Sequence, residues 1–158
     1  MLGLLNISPI IASLLVVLLP LLAFVIQAIF GRRSFSGNIA LIAIILSTIL
    51  SAFCVFFMVW NGETIGERIT WFTIGTKTFS VGLLLNKLTV FMQLLVCIIA
   101  LPVHFYSRSY MKGDDGLHRY WMYLSLFCFA MLGLTVSINL LQLYIFWELV
   151  GFASYLLI

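Results

Sequence analysis

Residues 10–30 and residues 38–60 are two runs without a charged side chain. Such runs leave the chain few places to go. At about 1.5 Å per residue, some 20 apolar positions in a helix match a hydrocarbon layer about 30 Å thick. The whole sequence agrees, with 64% hydrophobic and 8% charged residues against about 25% charged in ordinary soluble domains. It reads as an integral membrane protein.

The charge pattern removes other classes. The net charge of +3 comes from basic residues that flank apolar runs and form no stripe, so nucleic acid is not an expected partner. Cys54, Cys97 and Cys128 each sit inside an apolar run with no CxxC or Cys/His spacing, which reads as packing and gives no metal or haem ligation. No Gly-rich phosphate loop, Ser/His/Asp arrangement or zinc spacing is present. The start, Met1 to Ser8, lacks a basic region, and the apolar stretch after it is too long for a signal-peptide core. The first run is therefore read as a retained span.

In chain order, the first span covers residues 10–30 and is closed by Gly31-Arg32-Arg33. It contains Pro20, which a helix in lipid tolerates if a neighbour satisfies the carbonyl that proline frees. The second covers residues 38–60, with Trp60 as an interfacial anchor. Charges then appear at Glu63, Glu67, Arg68 and Lys77, and residues 70–81 are rich in β-branched and aromatic types, which suggests a small hairpin on the membrane surface. The third span covers residues 83–106, with Lys87 snorkelling to the interface and His104 as a hydrogen-bonded packing residue. Residues 107–119 form a charged turn. Residues 120–158 are too many for one crossing and divide at Ser137-Ile138-Asn139 into spans over 120–136 and 140–158, with Asn139 placed to cap the last helix.

The expected fold is all-α, a polytopic membrane helix bundle of about five transmembrane helices with a small surface hairpin between the second and third. Arg32, Arg33, Arg108, Lys112 and Arg119 lie in the connections after spans one and three, so those connections face the cytoplasm and the N-terminus lies outside. Ile158 falls within an apolar stretch that no basic or polar turn closes, so residues 1–158 are expected to be the N-terminal membrane portion of a longer chain.

One residue stands out. Glu148 is the only charge between Tyr120 and Ile158, and about 1.5 Å per residue from Asn139 puts it near mid-depth. An ionised carboxylate there costs about 2.5 to 3.5 kcal/mol on insertion scales, so a partner, a water-filled cavity or a proton must compensate. Desolvation favours the protonated form, and modest changes in surroundings would then load or unload the proton. Leu141, Tyr144, Ile145, Gly151, Phe152 and Tyr155 share its helix face, with Gly151 small enough to admit another helix.

The stretches Tyr106-Ser-Arg-Ser-Tyr-Met-Lys-Gly-Asp-Asp-Gly-Leu-His-Arg-Tyr120 and Asn139 to Ile158, above all Trp147-Glu148-Leu149 followed by Ser154-Tyr155-Leu156-Leu157-Ile158, resemble the antiporter-like subunits of proton-pumping NADH-quinone oxidoreductase (respiratory complex I), in particular subunit L, or chain 5. The resemblance implies a helical bundle with inverted five-helix repeats. It implies that Glu148 is the intramembrane glutamate of a proton relay, paired with a lysine on a later helix. It also implies a part in an NADH:quinone oxidoreductase translocase, with no redox cofactor in this subunit, other complex I membrane subunits, protons and lipid as partners, and quinone and NADH bound elsewhere. The membrane implied is a bacterial inner (plasma) membrane, in preference to an organellar one. Asn86 and Ile138 depart from the family, where Asp is common at both positions. Two alternatives stand beside this: the large subunit of a multisubunit cation/proton antiporter, against which Tyr110 to Asp114 and Val150-Gly151 weigh, and a structural anchor in which Glu148 makes one fixed hydrogen bond.

Overall fold

A computed structural model describes residues 2–30, 36–62 and 64–158, with side chains from Pro9 onward. Arg32 and Arg33, expected to close the first span, and Glu63 lie outside the described residues. The elements in order are α1 (Leu2–Ile29), α2 (Ser36–Asn61), β1 (Ile65–Ile74), β2 (Lys77–Leu85), α3 (Lys87–Tyr110), α4 (Leu117–Thr135) and α5 (Leu140–Leu157). In α1 the stretch Pro9–Ile29, and α2, α3 and α5 in full, are long and apolar enough to cross a bilayer. The remaining helix, α4, is 19 residues long but opens on His118, Arg119 and Tyr120, which dilute its apolar character.

The surface is as apolar as the core. On α2, Ile42, Ile49 and Phe56 follow at seven-residue intervals and expose 57%, 61% and 67% of their surface, whereas Ala40, Ala43, Ser47, Ser51 and Cys54 face inward. Water would not favour that arrangement. Lipid does, because large side chains lose nothing by facing acyl chains and small ones let helix backbones approach. Within the bundle α1 packs on α2 and α4, α2 on α3, and α4 on α5. Val16, Met58, Leu85, Val90, Cys97 and Leu132 form the buried cluster between them.

Polar side chains inside this core close backbone gaps and cross between helices. Pro20 has no N–H, so the Val16 carbonyl four residues earlier lacks its helical donor. Ser47 on α2 supplies one, donating its hydroxyl to Val16 O at 3.1 Å. The Gln93 amide of α3 donates to Ser13 O and Oγ of α1 at 3.3 and 3.2 Å. Gln27 of α1 donates to Ser36 O at 3.0 Å and accepts from Ser125 Oγ of α4 at 3.4 Å. In lipid such bonds have no water to compete with them.

The hairpin expected over residues 70–81 is longer. β1 and β2 pair antiparallel from Ile65↔Leu85 to Ile74↔Lys77, with one irregularity between Thr70 and Phe72. Gly75 has φ +60°, which a two-residue hairpin loop needs at this first loop position. Residues 83–85, assigned from hydropathy to the third span, are strand: Leu84 N donates to Val136 O at 3.1 Å and Leu83 bridges Ser137. An apolar run does not by itself separate a buried strand end from a helix start. The cap does. The Asn86 side chain accepts from Thr89 N and the Thr89 hydroxyl accepts from Asn86 N, both at 2.8 Å, and α3 begins there.

The Pro20–Ser47 arrangement yields a double-mutant test. Ser47→Ala is expected to destabilise the protein by about 1 kcal/mol by leaving Val16 O bare. In a Pro20→Ala background, where residue 20 again supplies an N–H, the same change should cost nothing measurable. Reversible unfolding in mixed micelles reads both, and equal losses in the two backgrounds would exclude the repair role.

Candidate functional site

α5 starts where its sequence caps it. Asn139 Oδ1 accepts from Gln142 N at 2.8 Å, and Asn139 Nδ2 donates to Ser80 O on β2. The break expected at Ser137-Ile138-Asn139 is therefore the real one. Three residues further on, Gln142 is buried and both ends of its amide are bonded: Gly82 N donates to Oε1 at 3.0 Å and Nε2 donates to Gly82 O at 2.9 Å. Only glycine fits at position 82, because a Cβ there would lie 2.0 Å from Glu67 O.

Further along, Phe146 fills a notch in α4. A Cβ at Gly133 would lie 2.2 to 2.6 Å from the Phe146 ring, which also meets Phe129 edge-on at 5.6 Å. Ala153 is fully buried and Leu157 packs near Trp121 and Leu124. At 100° per residue, Gln142, Phe146, Ala153 and Leu157 fall within about 60° of arc. That stripe is the seam by which α5 holds the rest of the chain.

Glu148 lies on the other side, roughly 150° round the axis from the middle of the stripe. It is exposed, as are Leu141, Tyr144, Ile145, Gly151, Phe152 and Tyr155, the residues expected to share its face. The expected face is thus complete and turned outward. Leu140, Leu141, Leu143, Tyr144, Trp147 and Glu148, all of α5, line an open depression of about 640 Å³, to which no other described residue contributes. Tyr144 stands one turn before Glu148 on the same exposed face. Gly151, expected to admit a neighbouring helix, has no described residue within 4 Å of a Cβ placed on it. The close helix approach on this hairpin of helices occurs at Gly133 instead.

The other ionisable groups take structural places. Lys87 is exposed at the start of α3. His104 is 1% exposed, its Nδ1 donates to Ala100 O at 2.8 Å, and its ring lies 5.9 Å from that of Trp121. Trp121 is itself buried, its ring against Gly37. Arg108 donates to Asn38 Oδ1 at 2.7 Å, and His118 Nδ1 lies 2.8 Å from Ser36 Oγ, so the 107–119 connection ties α2, α3 and α4 together at one end. Among the described residues no three His, Cys, Asp or Glu side chains gather as a metal ion would require. Sequence reasoning did not find Gln142 or Gly133, although a glutamine three residues after the cap, in an otherwise apolar helix, was the available signal.

Comparison with known proteins gives a consistent family. Residues 71–121 match the family model described as NADH-Ubiquinone oxidoreductase (complex I), chain 5 N-terminus. NADH-quinone oxidoreductase subunit L of Neisseria meningitidis serogroup A is 36% identical over 151 residues, covering 92% of this chain and 22% of the relative. The chloroplastic NAD(P)H-quinone oxidoreductase subunit 5 of Marchantia polymorpha is 44% identical over 128 residues, covering 80% of this chain and 18% of the relative. The chain therefore spans about a fifth of the length of these relatives. In three dimensions a chain of the membrane-bound sulfane sulfur reductase, an archaeal respiratory membrane complex, superposes with a TM-score of 0.67 over 97% of this chain and 29% of that one. At 16% identity that likeness speaks for the fold alone.

The Gly133 notch is testable directly. Gly133→Ala should force the Phe146 ring out and cost about 1 to 3 kcal/mol, the usual penalty of overpacking. Phe146→Leu in the same chain should recover part of it. Unfolding in mixed micelles measures both, and a neutral Gly133→Ala would show that the two helices do not meet there.

Proposed function

As a homologue of the N-terminal region of the antiporter-like subunit L (chain 5) of NADH-quinone oxidoreductase, this chain, we propose, forms the N-terminal membrane portion of a proton-translocating subunit and carries in Glu148 one station of the proton path. The observation that bears most on this reading is the position of that acid: the one charged side chain of α5, set midway along an otherwise apolar membrane helix and on the face its own bundle leaves uncovered. In soluble proteins such a carboxylate would be unremarked. In a bilayer it costs about 2.5 to 3.5 kcal/mol when ionised, so its retention points to use.

The chemistry follows from two states of one group. Protonated, the carboxyl is neutral and tolerable on a face it shares with Ile145 and Phe152. Deprotonated, it needs a cation, a hydroxyl or water on the outward face, where Tyr144 already stands. A partner that approaches and withdraws thereby takes up and returns the proton. Each charge moved across the membrane involves about 2.3 kcal/mol per 100 mV, so the relay has to be driven by another reaction. In this proposal the driver is quinone reduction in neighbouring subunits, and the redox groups belong to them. The basic residues in the connections after α1 and α3 support, by the positive-inside rule, an N-terminus on the outside of a bacterial inner membrane.

Glu148→Gln in the full-length protein separates relay from anchor. The amide keeps the shape of the carboxyl and cannot release a proton at ordinary pH. The complex is expected to assemble and reach its normal level in the membrane while proton pumping, followed by a pH-sensitive dye in vesicles, falls at least tenfold. Normal pumping by this variant would end the proposal.

A further inference from the structure

We propose that Gln142 is a positioning residue for Glu148: by clamping the backbone of Gly82 it fixes the rotation of α5 and so sets where the acid points. This rests on the relay reading above, but its geometry can be tested apart from it. α5 is the least enclosed of the described spans, with 11% of its apolar window buried against 28 to 39% for the others. Within the bundle its partner is α4, along the stripe of Phe146, Ala153 and Leu157. Apolar contacts of that kind are non-directional, and of these the Phe146 ring in its notch at Gly133 is the one that resists a roll. Hydrogen bonds are directional.

The directional contacts are gathered at one edge. On β2, three alternate residues turn backbone groups toward the α4–α5 connection: Ser80 O accepts from Asn139 Nδ2, Gly82 bonds Gln142 through both its N–H and its C=O, and Leu84 N donates to Val136 O. The edge of the hairpin is thereby satisfied as if by a third strand, with the Gln142 amide standing in for a peptide group. Two of these contacts precede α5 or lie at its cap. Gln142 is the one hydrogen-bonded contact within the helix, so with the Phe146 ring in its notch at Gly133 it fixes the angle of the helix about its axis. From there to Glu148 is six residues, about 9 Å along the axis. A roll of about 20° would carry a carboxyl held some 6 Å off the axis through about 2 Å, more than a proton transfer across a hydrogen bond of about 2.6 to 3.2 Å accommodates.

The test uses the full-length protein in its own membrane and two readouts. One is proton pumping. The other is the rate at which dicyclohexylcarbodiimide, a lipid-phase reagent for protonated carboxyls, modifies native Glu148, measured on the peptide by mass spectrometry. Gln142→Leu keeps the volume and loses both bonds; Gln142→Glu, when protonated, keeps one donor and one acceptor in the same places. Gln142→Leu is expected to lower pumping at least fivefold and to change the labelling rate at least threefold, and Gln142→Glu to restore both toward wild type. If Gln142→Leu does not assemble, Gln142→Asn, which keeps the amide but is too short to hold both bonds, is expected to give the same change in labelling. Labelling and pumping unchanged in the assembled variant, or equal impairment in Gln142→Leu and Gln142→Glu, would overturn the proposal. Should Glu148→Gln itself pump normally, the relay reading falls while the labelling arm still decides whether Gln142 orients the residue.

Discussion

In a hydrocarbon layer a peptide group has no water to fall back on, and that single constraint explains more of this molecule than any hydrophobic contact does. Many of the large aliphatic side chains are spread over the outside, where they meet lipid as readily as each other. What selects one arrangement of the helices is the set of polar groups that must be answered. The carbonyl freed by Pro20 is met by Ser47, the Gln93 amide is met by Ser13, and Gln27 joins the Ser36 backbone to Ser125. Each bond crosses between elements and is satisfied in only one register.

The same constraint decides how far the sequence could be read. Hydropathy finds spans because length and apolarity are what a bilayer demands, and it placed α2 and α5 closely; Asn139 marked the start of α5 because a cap is a local matter. It misassigned Leu83 to Leu85, since three leucines look alike in a strand and in a helix, and what makes them strand is a partner at Val136 and Ser137 more than fifty residues away. The burial of Trp121 is not legible in the sequence for a related reason: its place beside Gly37 depends on how α2 and α4 meet, which no periodicity within α4 reports.

For Glu148 the sequence told which residues share its face but not which way the face turns. That direction is set by Phe146 in the notch at Gly133 and by the Gln142 amide on Gly82, both contacts between distant segments. The outcome is a polar residue on the outer side of the described bundle, beside Tyr144 and Gly151. The chain spans about a fifth of the length of its relatives, and the described residues leave this face uncovered.

The pairing of Pro20 with Ser47 also bears on how the chain enters the membrane. Alone in lipid, α1 would carry an unanswered carbonyl at Val16, and the hydroxyl that answers it arrives only with α2. The first two spans thus gain by leaving the translocation machinery as a pair, so that the defect in one is healed by the other before either meets the acyl chains.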